Sequence, residues 1–250
     1  VVLLDDLKDF HVNRVFIEGA LVAEEGKYLP EIKKCDISSV KGSVIVKDFS
    51  KEKFKMNLKS NKVNVIKILP GGVVTAKDTA EIELDANGEF VRNPEVDLVK
   101  VAVVERHQGT GNVACGFLKG YGIKEGAVAL SIAHDSHNII VVGVSDEEME
   151  FAVNSLIEQE GGMVLVKEGK VIESMPMPIA GLMSDQSGEW VDQKLTDIHE
   201  KAYEELGICG DVEPVMTLCF MSLAVIPEIK LTDMGLFDVT TFSFIPVEAE

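Results

Sequence analysis

The sequence predicts an α/β fold, a layered mixed sheet with flanking helices. Near-continuous apolar runs at Val99–Val104, Ala127–Ala133 and Ile139–Val144 are the kind of strand that is buried on both faces. Strands alternate with helix-patterned segments over about 95–210. The clearest helix starts at Ser145-Asp146-Glu147-Glu148, a capping box in which Ser145 is N-cap and Glu148 reaches back. Met149, Ala152, Val153, Leu156 and Ile157 follow at helical spacing, and Gly161-Gly162 stops the run.

The other elements follow in order. Val15–Ile17 and Leu21–Ala23 flank Glu18-Gly19-Ala20 as a hairpin within residues 1–29, too little to form a domain alone. The chain begins at Val1, and this segment is expected to be the tail of something larger. Residues 30–62, with Pro30, Gly42 and a lysine cluster, read as a linker with one strand at Ser43–Val46. From 63 to 250 the pattern tightens into one domain. Val63–Leu69 is β-branched and ends at Pro70-Gly71-Gly72, and Ile82–Leu84 and Glu89–Val91 straddle the hairpin dipeptide Asn87-Gly88. Asn112 is expected to cap a helix through Tyr121, closed by Gly122. Met163–Val166 and Val171–Glu173 form a hairpin over Glu168-Gly169. A long helix covers about Glu189–Leu206, with Val191, Leu195, Ile198, Ala202 and Leu206 inward. Residues 214–247 are apolar and short-stepped.

Composition limits the partners. The chain has 250 residues, 46% hydrophobic and 26% charged, enough for a full core without staples. Lys plus Arg is 24 against 42 Asp plus Glu, a net charge of −18 that repels phosphate backbones and anionic lipid. No nucleic acid and no membrane partner is therefore expected. Lys47, Lys51, Lys53, Lys55, Lys59 and Lys62 are a local exception, read as a solvated segment. Cys35, Cys115, Cys209 and Cys219 show no CxxC spacing, and scattered thiols fit a reducing compartment, the cytoplasm.

Two clusters could carry chemistry, Glu105-Arg106-His107 and His134-Asp135-Ser136-His137-Asn138. Each follows an apolar strand. If Val99–Val104, a helix over 112–121 and Ala127–Ala133 make one right-handed βαβ unit, both clusters reach the same carboxyl edge of the sheet, where ligands of open α/β sheets bind. His134 and His137, with Asp135, admit three readings: metal ligation, acid/base or hydrogen-bonding work on a polar substrate, and a polar turn that caps backbone groups. Spacing i, i+3 at a strand end is unlike the i, i+4 pair of a helical metal site. Glu105, Arg106 and His107 read either as a local ion pair or as pocket groups. Gly109-Thr110-Gly111-Asn112 could cradle an anion on backbone amides, but the full GxGxxG pattern is missing. GxSxG, P-loop, HExxH and HxH motifs are absent.

These clusters carry a resemblance. Glu105-Arg106-His107 with Gly109–Asn112, Lys119-Gly120-Tyr121-Gly122, Ala133–Asn138, Pro178–Asp185 and Ile226–Asp233 resemble the adenine deaminase family of the amidohydrolase superfamily. The resemblance runs in order along nearly the whole chain. It implies a parent enzyme with a metal-bearing (β/α)₈ barrel, a small β-sandwich built from both flanks of that barrel, and an extra C-terminal domain. Residues 1–29 then resemble a short β-sandwich remnant, and the region from about 60 onward resembles the extra domain.

The resemblance further implies hydrolysis of adenine to hypoxanthine and ammonia in purine salvage and catabolism, a cytoplasmic location and a homo-oligomer. It implies a divalent metal (manganese, or iron or zinc) in a barrel that has no counterpart here, with no confident metal site in this chain. The isolated chain is expected to be inactive for that reason. Glu105, Arg106, His107, His134, Asp135 and His137 are the candidate pocket or substrate-orienting residues. His134, Asp135 and His137 are also the alternative metal set. The rival reading is a non-catalytic ligand-binding or interaction domain.

Overall fold

The computed structural model describes residues 1–249, which divide into two compact units, 1–39 and 40–249. The first is an antiparallel meander of β1 (Val2–Leu4), β2 (Val12–Ile17), β3 (Ala20–Glu24) and β4 (Lys27–Tyr28). The predicted hairpin is its β2–β3 pair. No residue of this unit is buried. Four short strands without a buried face lack the core that makes a sheet independently stable.

The second unit is built on an eight-stranded mixed sheet. Its strands in chain order are β5 (Lys62–Ile68), β6 (Thr75–Glu81), β9 (Leu98–Val104), β10 (Val113–Lys119), β11 (Ala127–Leu130), β12 (Ile139–Gly143), β13 (Gly162–Lys167) and β14 (Lys170–Pro176). A small hairpin of β7 (Glu83–Leu84) and β8 (Phe90–Val91) precedes β9. The spatial order is β14-β13-β11-β12-β9-β10-β5-β6, with only β10 and β5 parallel.

Every residue of β9 is buried, so the strand serves two cores. Val99, Val101 and Val103 face one side; Ala102 and Val104 face the other. On the second side lies α1 (Asp146–Glu158), which buries Met149, Ala152, Val153 and Leu156. The N-cap half of its capping box forms, with Ser145 Oγ accepting the Glu148 N–H at 3.2 Å, whereas the Glu148 carboxylate does not reach back and instead accepts the Gly169 N–H at 3.2 Å. On the first side lie α2 (Gly188–Glu204), α3 (Pro214–Phe220) and a three-stranded sheet of β15 (Ile229–Thr232), β16 (Gly235–Asp238) and β17 (Ser243–Ile245). A third core under the β7–β8 hairpin joins Phe90 to Phe117, ring centroids 5.0 Å apart.

Three local expectations are corrected. Residues 113–119 form β10, not a helix. Val113, Gly116 and Phe117 are poor helix formers, and pairing with β9 from Val113↔Val104 to Lys119↔Leu98 outweighs the capping signal of Asn112. No βαβ unit exists, because β12 lies between β9 and β11. Ser43–Val46 is not a strand. Its Ile45 N–H donates to the Arg106 carbonyl at 2.8 Å, while Val44 and Val46 pack on the α1-side core. Further on, the Lys51–Phe54 turn plants a fully buried Phe54 in that core. The strand predicted to reach Ala133 ends at Leu130.

Two lysines are buried in different ways. Lys100 points to the α1 side, where its Nζ meets Asp146 Oδ1 at 2.7 Å and the Phe54 carbonyl at 3.1 Å. Lys230 on β15 is fully buried and meets the Val73 carbonyl at 2.7 Å. Burial pushes its ammonium down from 10.5 to about 8. The unfolded chain therefore binds more protons between those values, so this residue's contribution to stability rises with pH across that window. Relative to Lys230→Met, the native chain should gain on the order of 2 kcal/mol between pH 8 and 10.5. Urea unfolding at stepped pH measures this, and parallel curves for the two proteins would refute the assignment.

Candidate functional site

The two sequence clusters do meet, by a topology other than the predicted one. β12 runs antiparallel beside β9 with Ile139 opposite Val104. The exit of β9 (residues 105–112) therefore lies against the entry of β12 (residues 134–138). Residues 178–183, following β14, close over the same edge, where Ala180 meets Arg106.

Arg106 holds these segments together. It is 1% exposed. Its Nε donates to the His137 carbonyl at 2.5 Å, and Nη2 donates to the carbonyls of Ala180 at 3.2 Å and Ser131 at 3.4 Å. Nη1 has no partner, and no carboxylate pairs with the group among the described residues. The fit leaves no space at Gly181. A Cβ there would lie 2.7 Å from Nη1, and the backbone φ of +70° is strained for other residues. Ser131 and Asn138 support the assembly. Ser131 Oγ donates to the Gly181 carbonyl at 2.5 Å and accepts the Gly162 N–H at 2.7 Å. Asn138 accepts the Arg106 N–H at 3.3 Å and donates to Asp233, in the β15–β16 turn, at 3.2 Å. Asn138 sat inside the sequence cluster and Gly181 inside the Pro178–Asp185 motif, whereas Ser131 carried no signal because its role exists only in the contact.

Glu105 occupies a cradle of donors from residues 107–110, of which only Thr110 belongs to the expected Gly109–Asn112 loop. Its Oε1 accepts the N–H groups of His107 at 2.5 Å and Gln108 at 2.7 Å, and Oε2 accepts the N–H and hydroxyl of Thr110 at 2.9 and 3.0 Å. Burial alone would raise its carboxyl, but the N–H donors outweigh it and hold the group at about 2. Glu105 is thus a permanent internal anion.

The remaining candidates reach solvent. His107 Nε2 lies 2.7 Å from the Ser136 carbonyl and links the two loops. The His134 ring packs on Phe220 at 4.9 Å between centroids and lies 6.0 Å from His137. Burial, then the charges of His134 and Arg106, push the His137 imidazole down, against the opposing pull of Asp135. His137 is therefore neutral at pH 7, able to accept a proton or a hydrogen bond. Asp135 is 81% exposed in its side chain and stands 3.9 Å from His134. Among the described residues no group of three His, Cys, Asp or Glu side chains is arranged to hold a metal ion. His134, Asp135 and His137 do not fit one.

Residues 72–243 match the family described as adenine deaminase C-terminal domain. The chain belongs to this family. It is similar to adenine deaminase 2 of Desulfotalea psychrophila, 65% identical over 249 residues. It also resembles the adenine deaminase of Ligilactobacillus salivarius, 46% identical over 250 residues. Adenine deaminase 2 of Carboxydothermus hydrogenoformans is 44% identical over 247 residues. These alignments cover 99–100% of this chain and 43% of each relative.

Because the Glu105 carboxyl is held below its ordinary 4.5, its contribution is present above that pH and is lost as pH falls towards 2. Glu105→Gln should be less stable than the native chain at pH 7 by on the order of 2 kcal/mol, and the difference should vanish by about pH 2. Chemical unfolding across pH 2–7 checks this; a constant difference would show that the carboxylate charge is not what the loop holds.

Proposed function

We propose that this chain is the C-terminal part of an adenine deaminase that hydrolyses adenine to hypoxanthine and ammonia in purine salvage and catabolism. The observation that carries the reading is alignment of the whole chain with 43% of the length of relatives named adenine deaminase. The first unit supports it. A sheet without a buried residue fits strands that complete a β-sandwich together with further chain.

The divalent metal, manganese or alternatively iron or zinc, is assigned to the barrel that lies outside this chain. The chain's own contribution is the loop edge. Glu105 and Arg106 shape it, and His107, His134, Asp135 and His137 face outward from it towards the adenine pocket. Met183, Val225 and Met234 on neighbouring loops are each more than half exposed, and such side chains favour coverage by the barrel. Exposed Phe242 and Phe244, packed on Phe237, favour a homo-oligomer. No helix among the described residues is long and apolar enough to cross a membrane, and the four cysteines are free, which favours the cytoplasm.

The test uses the full-length parent. His134→Ala and His137→Ala should each lower kcat/KM for adenine by about tenfold or more with the unfolding midpoint unchanged. Unchanged turnover in both variants would remove the loop edge from the pocket. Adenine turnover by the isolated 250-residue chain with manganese supplied would overturn the assignment of the metal to the absent barrel.

A further inference from the structure

The lysine-rich segment borders a separate cavity of about 330 Å³, enclosed by residues 53–59, β10 and residues 246–248. Two chemistries meet in its walls. Met56, Val113 and Val247 give apolar surface, and Lys53, Lys55 and Lys59 bring three ammonium groups.

The charges are unevenly matched. Lys55 pairs with Glu52. Lys53 Nζ donates to the Gly111 carbonyl at 3.1 Å, an acceptor without charge that leaves the ammonium uncompensated. The Lys59 ammonium makes no hydrogen bond or contact ion pair among the described residues, and its charge attracts that of Glu248 only at longer range. Among the described residues Glu248 is the single carboxylate of the lining, and its Oε1 is already occupied by the N–H groups of Lys59 at 2.5 Å and Ser60 at 2.9 Å. The cavity thus keeps a net positive charge within a chain of net charge −18. Retained cationic surface of this kind concentrates anions.

We propose that this cavity binds a small organic phosphate monoester, with Lys53 and Lys59 meeting the phosphate and Met56, Val113 and Val247 packing against its apolar or planar body. Two ammonium groups match the near-dianionic charge of a monoester at pH 7. The volume lies at the lower end of small-molecule pockets. Cys115 also lines the cavity, but burial pushes its thiol up to about 12, so the site binds without covalent chemistry. The inference is independent of the deaminase reading.

The probe is AMP, compared with inorganic phosphate and uncharged adenosine, by calorimetry and thermal unfolding of this chain. AMP at ten times its Kd should raise the midpoint by about 3 °C, and added salt should weaken the shift. Adenosine and inorganic phosphate should each bind at least about tenfold more weakly, since each lacks one half of the recognition. The exposed pair K53Q/K59Q should keep the ligand-free midpoint and lose the AMP shift. Absence of AMP binding, an equal shift in K53Q/K59Q, or equal binding of adenosine or inorganic phosphate would overturn the proposal.

Discussion

Burying a guanidinium away from any carboxylate costs several kcal/mol unless its donors are met, and the candidate edge of this molecule is organised by that requirement. Arg106 meets it at Nε and Nη2, with carbonyl oxygens from Ser131 and His137 on one stretch of chain and Ala180 on a second. Its own carbonyl accepts from Ile45 on a third. A single planar group thereby fixes the relative positions of loops that the sheet alone leaves open. The cation is directional, and each carbonyl must approach in the plane of the fork. The same requirement keeps position 181 a glycine, because the group lies where a Cβ would be.

Around that clasp, charge is stored internally and chemistry is left outside. Glu105 has its carboxylate wrapped by main-chain donors, and Arg106 is enclosed by carbonyls. The imidazoles of His107, His134 and His137 remain at the surface, with His137 shifted towards its neutral form. The arrangement separates scaffold groups from presented groups among six candidates in two clusters, 105–107 and 134–137. It gives the loop edge a rigid base and an imidazole-bearing face.

The sheet beneath follows the same logic of two-sided burial. β9 serves cores on both faces, and the Lys100–Asp146 pair anchors the first turn of α1 to it. A carboxylate at a helix N-terminus gains from the helix dipole as well as from the ammonium. The first unit contrasts with this. Its strands pair by backbone hydrogen bonds yet hold no fully buried residue.

The sequence by itself determined the elements whose signals are local. The N-cap at Ser145 with its apolar stripe, the Asn87-Gly88 and Glu168-Gly169 hairpins, and the near-continuous apolar strands β9 and β12 are written in propensity and periodicity. It also brought forward the residues of the clasp, since Glu105, Arg106, Asn138 and the histidines lie in two compact motifs. Tertiary structure decided what local signals cannot carry. Residues 113–119 became a strand because β9 offered a full ladder of partners, which outweighs a capping residue worth about 1 kcal/mol. The meeting of the two motifs came from antiparallel adjacency of β9 and β12, not from a crossover helix. The roles of Glu105 and Arg106 as enclosed scaffold, and of Ser131 and Gly181 as its supports, depend on which backbone groups lie within 3.5 Å after folding. Such groups are alike in every residue, so a sequence names them nowhere and only the packed chain selects them.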